Sequence, residues 1–267
     1  MNKESRLQEA YLSRLEKQRR KIMAARILLA LAFFLLWETA ADRGWIDSFF
    51  FSSPSRLGRL FLSMWLDGSL FLHVGITLTE TLVSFALVVV ISLAVSLLLW
   101  LSDSVFQVLE PYLVILNSLP KSALAPLLIV WLGANSRTII VAGMSVAIFG
   151  TILNLYTGFT ETSREKIRLI YTLHGTKKDA LTKVVLPSTV PMIISIMKVN
   201  IGLCLVGVVI GEFIGARNGL GYLIIYGSQV FQLDLVILSI LILCLMAMLL
   251  YGGVTAAEKL YHRRQHA

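Results

Sequence analysis

The sequence predicts an all-α, polytopic membrane protein of about six transmembrane helices. Two properties of the 267 residues carry this: 57% are hydrophobic against 15% charged, and the mean hydropathy is +0.78. A third is that the apolar residues gather into runs of about 20, the helical length needed to cross a hydrocarbon core in which every backbone N–H and C=O must be satisfied without water. A soluble chain of this size would carry about a quarter charged residues in an even spread.

Residues 1–21 form a polar, helical extension carrying Lys3, Arg6, Arg14, Lys17, Arg19, Arg20 and Lys21 with Glu4, Glu9 and Glu16. A first span follows over about Ile22–Ala41. It is longer than a signal-peptide apolar region and lacks a small-residue cleavage site, so it reads as an uncleaved span with Arg26 snorkelling from its start. From Asp42 to about His73 the chain is polar and aromatic, broken by Gly44, Ser52, Ser53, Pro54, Gly58 and Gly68, and is expected to be an external loop with short surface helices.

The second span is expected over about Thr79–Leu101. The third, about Val105–Gly133, is interrupted by Pro111, Pro120 and Pro126; a membrane helix tolerates prolines where neighbouring helices or a cavity satisfy the freed backbone groups, so this span is a candidate pathway wall. The fourth is expected over about Arg137–Phe159, the fifth over about Thr189–Gly211 and the sixth over about Asp234–Thr255. The membrane-spanning body thus covers residues 22–258, with a short tail over 259–267. Cys204 and Cys244 both fall in apolar runs and read as small buried hydrophobes.

Orientation follows from the basic residues. The N-terminal extension, the loop between the fourth and fifth spans (Arg164, Lys166, Arg168, Lys177, Lys178, Lys183) and the tail (Lys259, Arg263, Arg264) together hold sixteen Lys and Arg, against five (Arg43, Arg56, Arg59, Arg137, Arg217) on the other side. The positive-inside rule then puts both termini and that loop in the cytoplasm. The net charge of +8 is used in this way and shows no aromatic-basic pattern suited to nucleic acid. His73, His174, His262 and His266 are too scattered for a metal site, and no phosphate-binding G-x-x-x-x-G-K-[ST] loop is present, so ATP, if used, is hydrolysed by another polypeptide.

The loop over about 160–187 reads TETSREKIRLIYTLHGTKKDALTKVVLP. Ile167, Ile170 and Leu173 lie at three-residue steps. Gly175 is expected to break the helix, a second short helix to cover Lys177–Val185, and Pro187 to open the next span. Two short helices joined by a glycine can present a knob to a partner, although an ordinary basic connection would look similar.

LLWETAADRGWID near the first span, SSPS at Ser52–Ser55, HVGITLTETLVSFAL, PLLIVWLG at Pro126–Gly133, TLHGTKKDALTKVVLPSTVP and GEFIGARNGLGYLI occur in that order. From about Leu29 to Tyr251 the chain thereby resembles permease subunits of bacterial ATP-binding-cassette importers, in the branch handling nitrate, sulfonates, taurine and related small solutes. The resemblance implies a type I importer permease fold in the bacterial cytoplasmic membrane. It implies no cofactor and no catalytic residues in this subunit. It further implies a separate ATPase subunit, an extracytoplasmic solute-binding protein and a second copy of the chain. Vitamin precursors such as pyrimidines are an alternative cargo class.

In that family the cytoplasmic loop carries a coupling helix with a Glu-Ala-Ala signature. Those positions fall here on Arg168, Leu169 and Ile170, and His174 stands where glycine is usual, with Gly175 one place later. The implied ATPase-coupling residues are Arg168, Leu169, Ile170, Leu173, His174, Gly175, Thr176, Lys177, Lys178, Leu186 and Pro187.

Charged groups within spans are costly and ask for a partner or a cavity. Lys121 and Lys198, with Asn117, Ser118, Asn200 and Glu212, are pathway or substrate candidates; equally, the lysines could snorkel or pair with Glu80, Glu110 or Glu212. Glu80 stands where the resembled family is usually basic. Gly207, Gly211 and Gly215 recur at every fourth position and predict a helix-packing face, and the role of the turn at Gly219, Gly221 and Tyr222 is left open. Two rivals remain at this level: a self-sufficient secondary transporter, for which paired interrupted helices would be expected, and a membrane-embedded enzyme, for which no nucleophile–base or metal constellation is evident.

Overall fold

The computed structural model describes residues 3–265, with side chains over 17–259. The side chains of Lys3, Glu4, Arg6, Glu9, Arg14, Glu16, His262, Arg263 and Arg264 therefore lie outside the described set, as does His266 altogether. The chain divides into two units, Met1–Ser63 and Met64–Ala267.

In the first unit, α1 runs unbroken over Lys3–Asp42, so the polar extension and the first span are one helix. Residues Lys17–Asp42 are long and apolar enough to cross a membrane. The chain then turns back through α2, Ser48–Phe51, capped by Asp47, whose carboxylate accepts the Phe49 N–H at 2.8 Å. Proline at the first position starts α3, Pro54–Leu66, where its missing N–H costs nothing. The Ser55 N–H donates to Glu38 at 2.9 Å and the Trp37 indole to the Phe51 carbonyl at 3.2 Å, tying the loop to the end of α1.

The second unit holds α4, Ser69–Leu101, which starts ten residues before the expected Thr79. Its buried small polar residues Thr77, Thr81, Ser84, Ser92 and Ser96 lie three to eight residues apart on one face. That face meets α7, Ser136–Thr160: the Ser84 hydroxyl donates to the Ile140 carbonyl at 3.1 Å and Ser96 to Ile152 at 3.0 Å. Both pairs have the same sequence offset, so α4 and α7 run parallel in register. Small residues permit this close approach, and the Ser84 and Ser96 hydroxyls find acceptors across the helix pair.

Between α4 and α7 the expected third span is two helices, α5 over Asp103–Ser118 and α6 over Lys121–Leu132, bent by 96°. At 1.5 Å per residue they are about 24 Å and about 18 Å long, so neither alone crosses a core of about 30 Å. Only Pro120 sits at the break; Pro111 and Pro126 lie inside α5 and α6. The expectation of one span interrupted three times is corrected accordingly: a membrane helix accommodates two of the three prolines without ending.

The segment after α7 holds α8, Arg164–Thr172, then α9, Lys177–Ala180, which passes through a π turn at Leu181–Val185 into α10, Leu186–Gly215. Pro187 stands in the first turn of α10, as expected, although no break precedes it. The π turn lengthens the ladder so that the Leu186 N–H bonds the Leu181 carbonyl, and the proline, which has no N–H, is absorbed within one helix of 39 residues, Lys177–Gly215. Two further helices, α11 over Leu220–Gln229 and α12 over Leu233–Gln265, complete the unit. Cys204 is buried with Val88 and Ala147, but Cys244 is exposed on α12 and is no core residue.

α10 runs antiparallel to α7. A methyl group added at Gly207 would lie 2.8 Å from the Gly143 Cα and 2.9 Å from the Ala142 carbonyl oxygen, and one at Gly211 would lie 3.2 Å from the Ala142 methyl. Gly215 faces Ile129 of α6 instead. All described secondary structure is helical, with five spanning helices or six if the bent pair counts as one.

Candidate functional site

The elbow formed by α8, α9 and the π turn is seated on a hydrophobic cluster at one end of the second unit. Ala180, Leu181 and Val185 are buried there with Trp100 of α4, Leu155 and Phe159 of α7 and Met197 of α10, and Ile167, Ile170 and Leu186 pack against them. The amphipathic α8 thus commits Ile167 and Ile170 inward. Leu169, Tyr171 and Leu173 are left on the outside at 59%, 45% and 69% exposure. Arg168, His174, Thr176, Lys178 and Pro187 are exposed around them.

Local chemistry fixes the bend. The His174 N–H bonds the Tyr171 carbonyl and the Gly175 N–H the Ile170 carbonyl, the paired bonds of a left-handed helix stop. The residue in the left-handed conformation is His174, at φ 59°, not Gly175. Gly175 serves a different need: a side chain there would press on the Ile170 carbonyl at 2.9 Å. The expectation that Gly175 breaks the helix is corrected on this point. Because a β-carbon is penalised in that region, His174→Gly is expected to stabilise the elbow by about 0.5 to 1 kcal/mol, read as slower proteolysis of the loop.

The next helix starts with a reciprocal cap. The Asp179 N–H donates to the Thr176 hydroxyl at 3.2 Å and the Thr176 N–H to the Asp179 carboxylate at 2.9 Å, while Lys183 holds the other carboxylate oxygen at 2.8 Å. Lys177 reaches back to the α4–α5 corner, 3.8 Å from Asp103 and 5.5 Å from the Trp100 ring centroid. The elbow is thereby in direct contact with α4, α5, α7 and α10.

Of the intramembrane candidates, Lys198 pairs with Glu258 of α12, with side-chain exposures of 17% and 21%. Neither Glu80, Glu110 nor Glu212 is its partner, which corrects the pairing expected from sequence. Lys198→Met leaves Glu258 half-desolvated and alone, an expected loss of about 2 kcal/mol after allowing for solvent, and adding Glu258→Gln is expected to recover most of it in thermal unfolding. Lys121 donates to the Leu116 carbonyl and lies 5.3 Å from the Phe149 ring centroid. It thereby satisfies an orphan carbonyl at the end of α5, across the 96° bend. Asn117 lies against Gly150, the Ser118 hydroxyl donates to the Val114 carbonyl at 2.9 Å, and Asn200 is buried.

Glu212 is 1% exposed. Its carboxylate accepts the Thr77 hydroxyl at 2.7 Å and the Gly221 N–H at 2.6 Å. The neighbouring N–H groups of Gly219 and Leu220 donate to His73 Nδ1 at 3.0 Å and to the Thr77 oxygen at 2.8 Å. α4 and α10 thus satisfy the donors that open α11, and a carboxylate suits the positive end of that helix. Gly219, at φ 119°, and Gly221 are required here because a side chain at either would overlap the Glu212 carboxyl. Sequence reading missed this arrangement and the Lys177, Lys198 and Glu258 contacts. The legible signals were the paired glycines after Glu212 and the Thr176-x-x-Asp179 spacing.

A model of the family described as binding-protein-dependent transport system inner membrane component matches residues 88–265. A probable ABC transporter permease protein of Haemophilus influenzae is 30% identical over 238 residues, covering 89% of this chain and 95% of that one. The formylaminopyrimidine transport permease ThiX of Halalkalibacterium halodurans is 28% identical, covering 87% and 92%. The taurine transport system permease TauC of Escherichia coli is 24% identical, covering 84% and 83%. Among solved structures, the inward-facing MetNI methionine ABC transporter shares the fold with a TM-score of 0.60 at 20% identity, over 69% of this chain and 92% of that one. With the family model spanning two thirds of its length, the chain belongs to the binding-protein-dependent inner membrane components, the multi-pass permease subunits of ABC importers.

Proposed function

We propose that two copies of this chain form the translocation path for a small solute, that each copy docks a separate ATP-hydrolysing subunit through the elbow, and that an extracytoplasmic binding protein delivers the solute. The observation that carries this reading is the elbow itself: three large apolar side chains, Leu169, Tyr171 and Leu173, exposed on a short helix whose other face is locked to α4, α7 and α10. Such a knob suits a groove on a partner, and its rigid seat lets the partner's closure bias two packings of the helices. Both termini and the elbow then lie in the cytoplasm, as the basic residues require. The residue assignments made from sequence for coupling, from Arg168 to Pro187, belong to this reading. The exposed apolar residues of α5, among them Val108, Tyr112 and Ile115, supply a face for the second copy.

The relatives' names span formylaminopyrimidine, aliphatic sulfonates, taurine, riboflavin and nitrate, so the cargo is a small solute of that range. Leu173→Asp is expected to weaken co-purification of the ATPase subunit by about tenfold, the effect of losing one buried apolar contact and burying a charge. Full ATPase association and full uptake in the double variant Leu169→Asp, Leu173→Asp would reject the docking site.

A further inference from the structure

At the end of the second unit opposite the elbow, two carboxyl groups meet in an enclosed pocket. Glu212 of α10 is buried and accepts the Thr77 hydroxyl at 2.7 Å and the Gly221 N–H at 2.6 Å. Glu80 of α4 is 3% exposed, both its oxygens are enclosed, and neither has a well-aligned hydrogen bond among the described residues. The polar groups next to them are the Ser136 hydroxyl and the Glu212 carboxyl. Glu212 thus has two donors to support a negative charge, and Glu80 has at most the Ser136 hydroxyl.

Among the described residues no cation compensates a second charge in this pocket. α4 contributes His73, whose Nδ1 accepts the Gly219 N–H at 3.0 Å and therefore carries no proton. On α7 Arg137 follows Ser136, and in the turn after α10 Arg217 lines the neighbouring cleft; both are exposed, and neither forms an ion pair among the described residues. α11 contributes Tyr222, stacked on His73, and the Gly221 N–H. Two carboxylates in contact without a cation repel each other strongly where water cannot screen them, and such pairs keep one proton.

We propose that Glu80 and Glu212 bind a single proton between them, carried on Glu80 and donated to Glu212, and that this proton fastens α4 to α10 and to the start of α11. With the proton in place, Glu80 is a donor that Glu212 accepts in a charge-assisted O–H···O bond, and its other oxygen is free to take the Ser136 hydroxyl. The pocket then holds one negative charge, set against the two donors at Glu212 and the positive end of α11. Without the proton it holds two, and α4 and α10 can lower the repulsion only by moving apart. The site is a proton-dependent fastener belonging to this chain alone, whatever solute the protein carries.

In the unfolded chain both carboxyls ionise in the ordinary range, near about pH 4.3, so above it the folded chain holds one proton more than the unfolded one. Stability is therefore lost as pH rises, by about tenfold in the folding equilibrium per pH unit, until the proton leaves the folded chain. The test follows thermal unfolding of the full-length chain in detergent from about pH 5 to about pH 8, beside Glu80→Gln, whose amide donates to Glu212 without titrating. The wild-type midpoint is expected to fall by about 5 °C or more relative to that of Glu80→Gln across this range. Infrared spectra of the wild-type chain at neutral pH are expected to contain the C=O stretch of a protonated carboxyl, which disappears on alkalinisation and is missing from Glu80→Gln. The wild-type spectra keep the test decisive if the variant does not fold. Midpoints that move in parallel for the two proteins, or no protonated-carboxyl band in the wild-type chain at neutral pH, would overturn the proposal. So would a rise in the wild-type midpoint with sodium or calcium at neutral pH that Glu80→Gln does not show, because a cation would then occupy the place assigned to the proton.

Discussion

Glu212→Ala is expected to cost about 3 to 5 kcal/mol, enough to unfold much of the second unit in detergent. The substitution leaves the Thr77 hydroxyl and the Gly221 N–H without the carboxylate they bond at 2.7 and 2.6 Å, and both are buried. Each orphaned group costs roughly 1 to 3 kcal/mol, and the cavity left by the buried side chain adds to it. Glu212→Gln retains one acceptor oxygen and is expected to recover about half of the loss. Thermal unfolding followed by size-exclusion chromatography reads both. If Glu212 met solute instead of serving as a cap, the alanine variant would remain folded and fail only in uptake.

Gly207→Leu is expected to be about as damaging, at roughly 3 kcal/mol or more. Its first side-chain carbon alone would sit 2.8 Å from the Gly143 Cα and 2.9 Å from the Ala142 carbonyl, and these are backbone atoms that move only if α7 and α10 separate. Overpacking against a flexible side chain costs about 1 to 3 kcal/mol, and displacing a helix costs more. Gly202→Ala provides the control: nothing lies within 4 Å of the added carbon, and the helix-propensity gain makes a neutral or slightly positive effect the expected result. Equal stability of the Gly207 and Gly202 variants would show that α7 and α10 do not meet backbone to backbone.

The helical fold and five of the spans were legible because spanning a bilayer is a constraint on length and polarity, and both are visible in a string of residues. Where legibility failed, the cause was a bond between distant positions or a backbone choice that composition does not encode. Pro187 does stand in the first turn of α10, but what composition does not encode is that the π turn over Leu181–Val185 carries the helix into it without a break. Gly175 looked like the helix stop, but His174 adopts the left-handed conformation and Gly175 supplies room against Ile170. Three prolines suggested three interruptions of one span, and only the pair Leu119–Pro120 separates two helices.

The candidate residues divide along the same line. The elbow was found because its amphipathic spacing and its capping residues are local, and its exposed Leu169 and Leu173 follow from which face α8 buries. Lys198 was singled out by its cost in a membrane, while its partner Glu258 lies sixty residues away, and no local pattern links them. The polar neighbours Glu80, Thr77 and Glu212 likewise come from α4 and α10, which are more than a hundred residues apart in sequence. What identifies such groups beforehand is the expense of burying them, not the identity of the group that compensates it.

On the proposed function, the membrane helices are driven through the elbow by a separate nucleotide-hydrolysing subunit on the cytoplasmic side. Proteoliposomes containing this chain with and without its ATPase subunit, loaded with ATP and supplied with the binding protein and its radiolabelled solute, test it most directly. Accumulation is expected to require the ATPase subunit and hydrolysable ATP, and to fall about tenfold with Leu173→Asp. Uptake by the chain alone, with no nucleotide consumed, would contradict it.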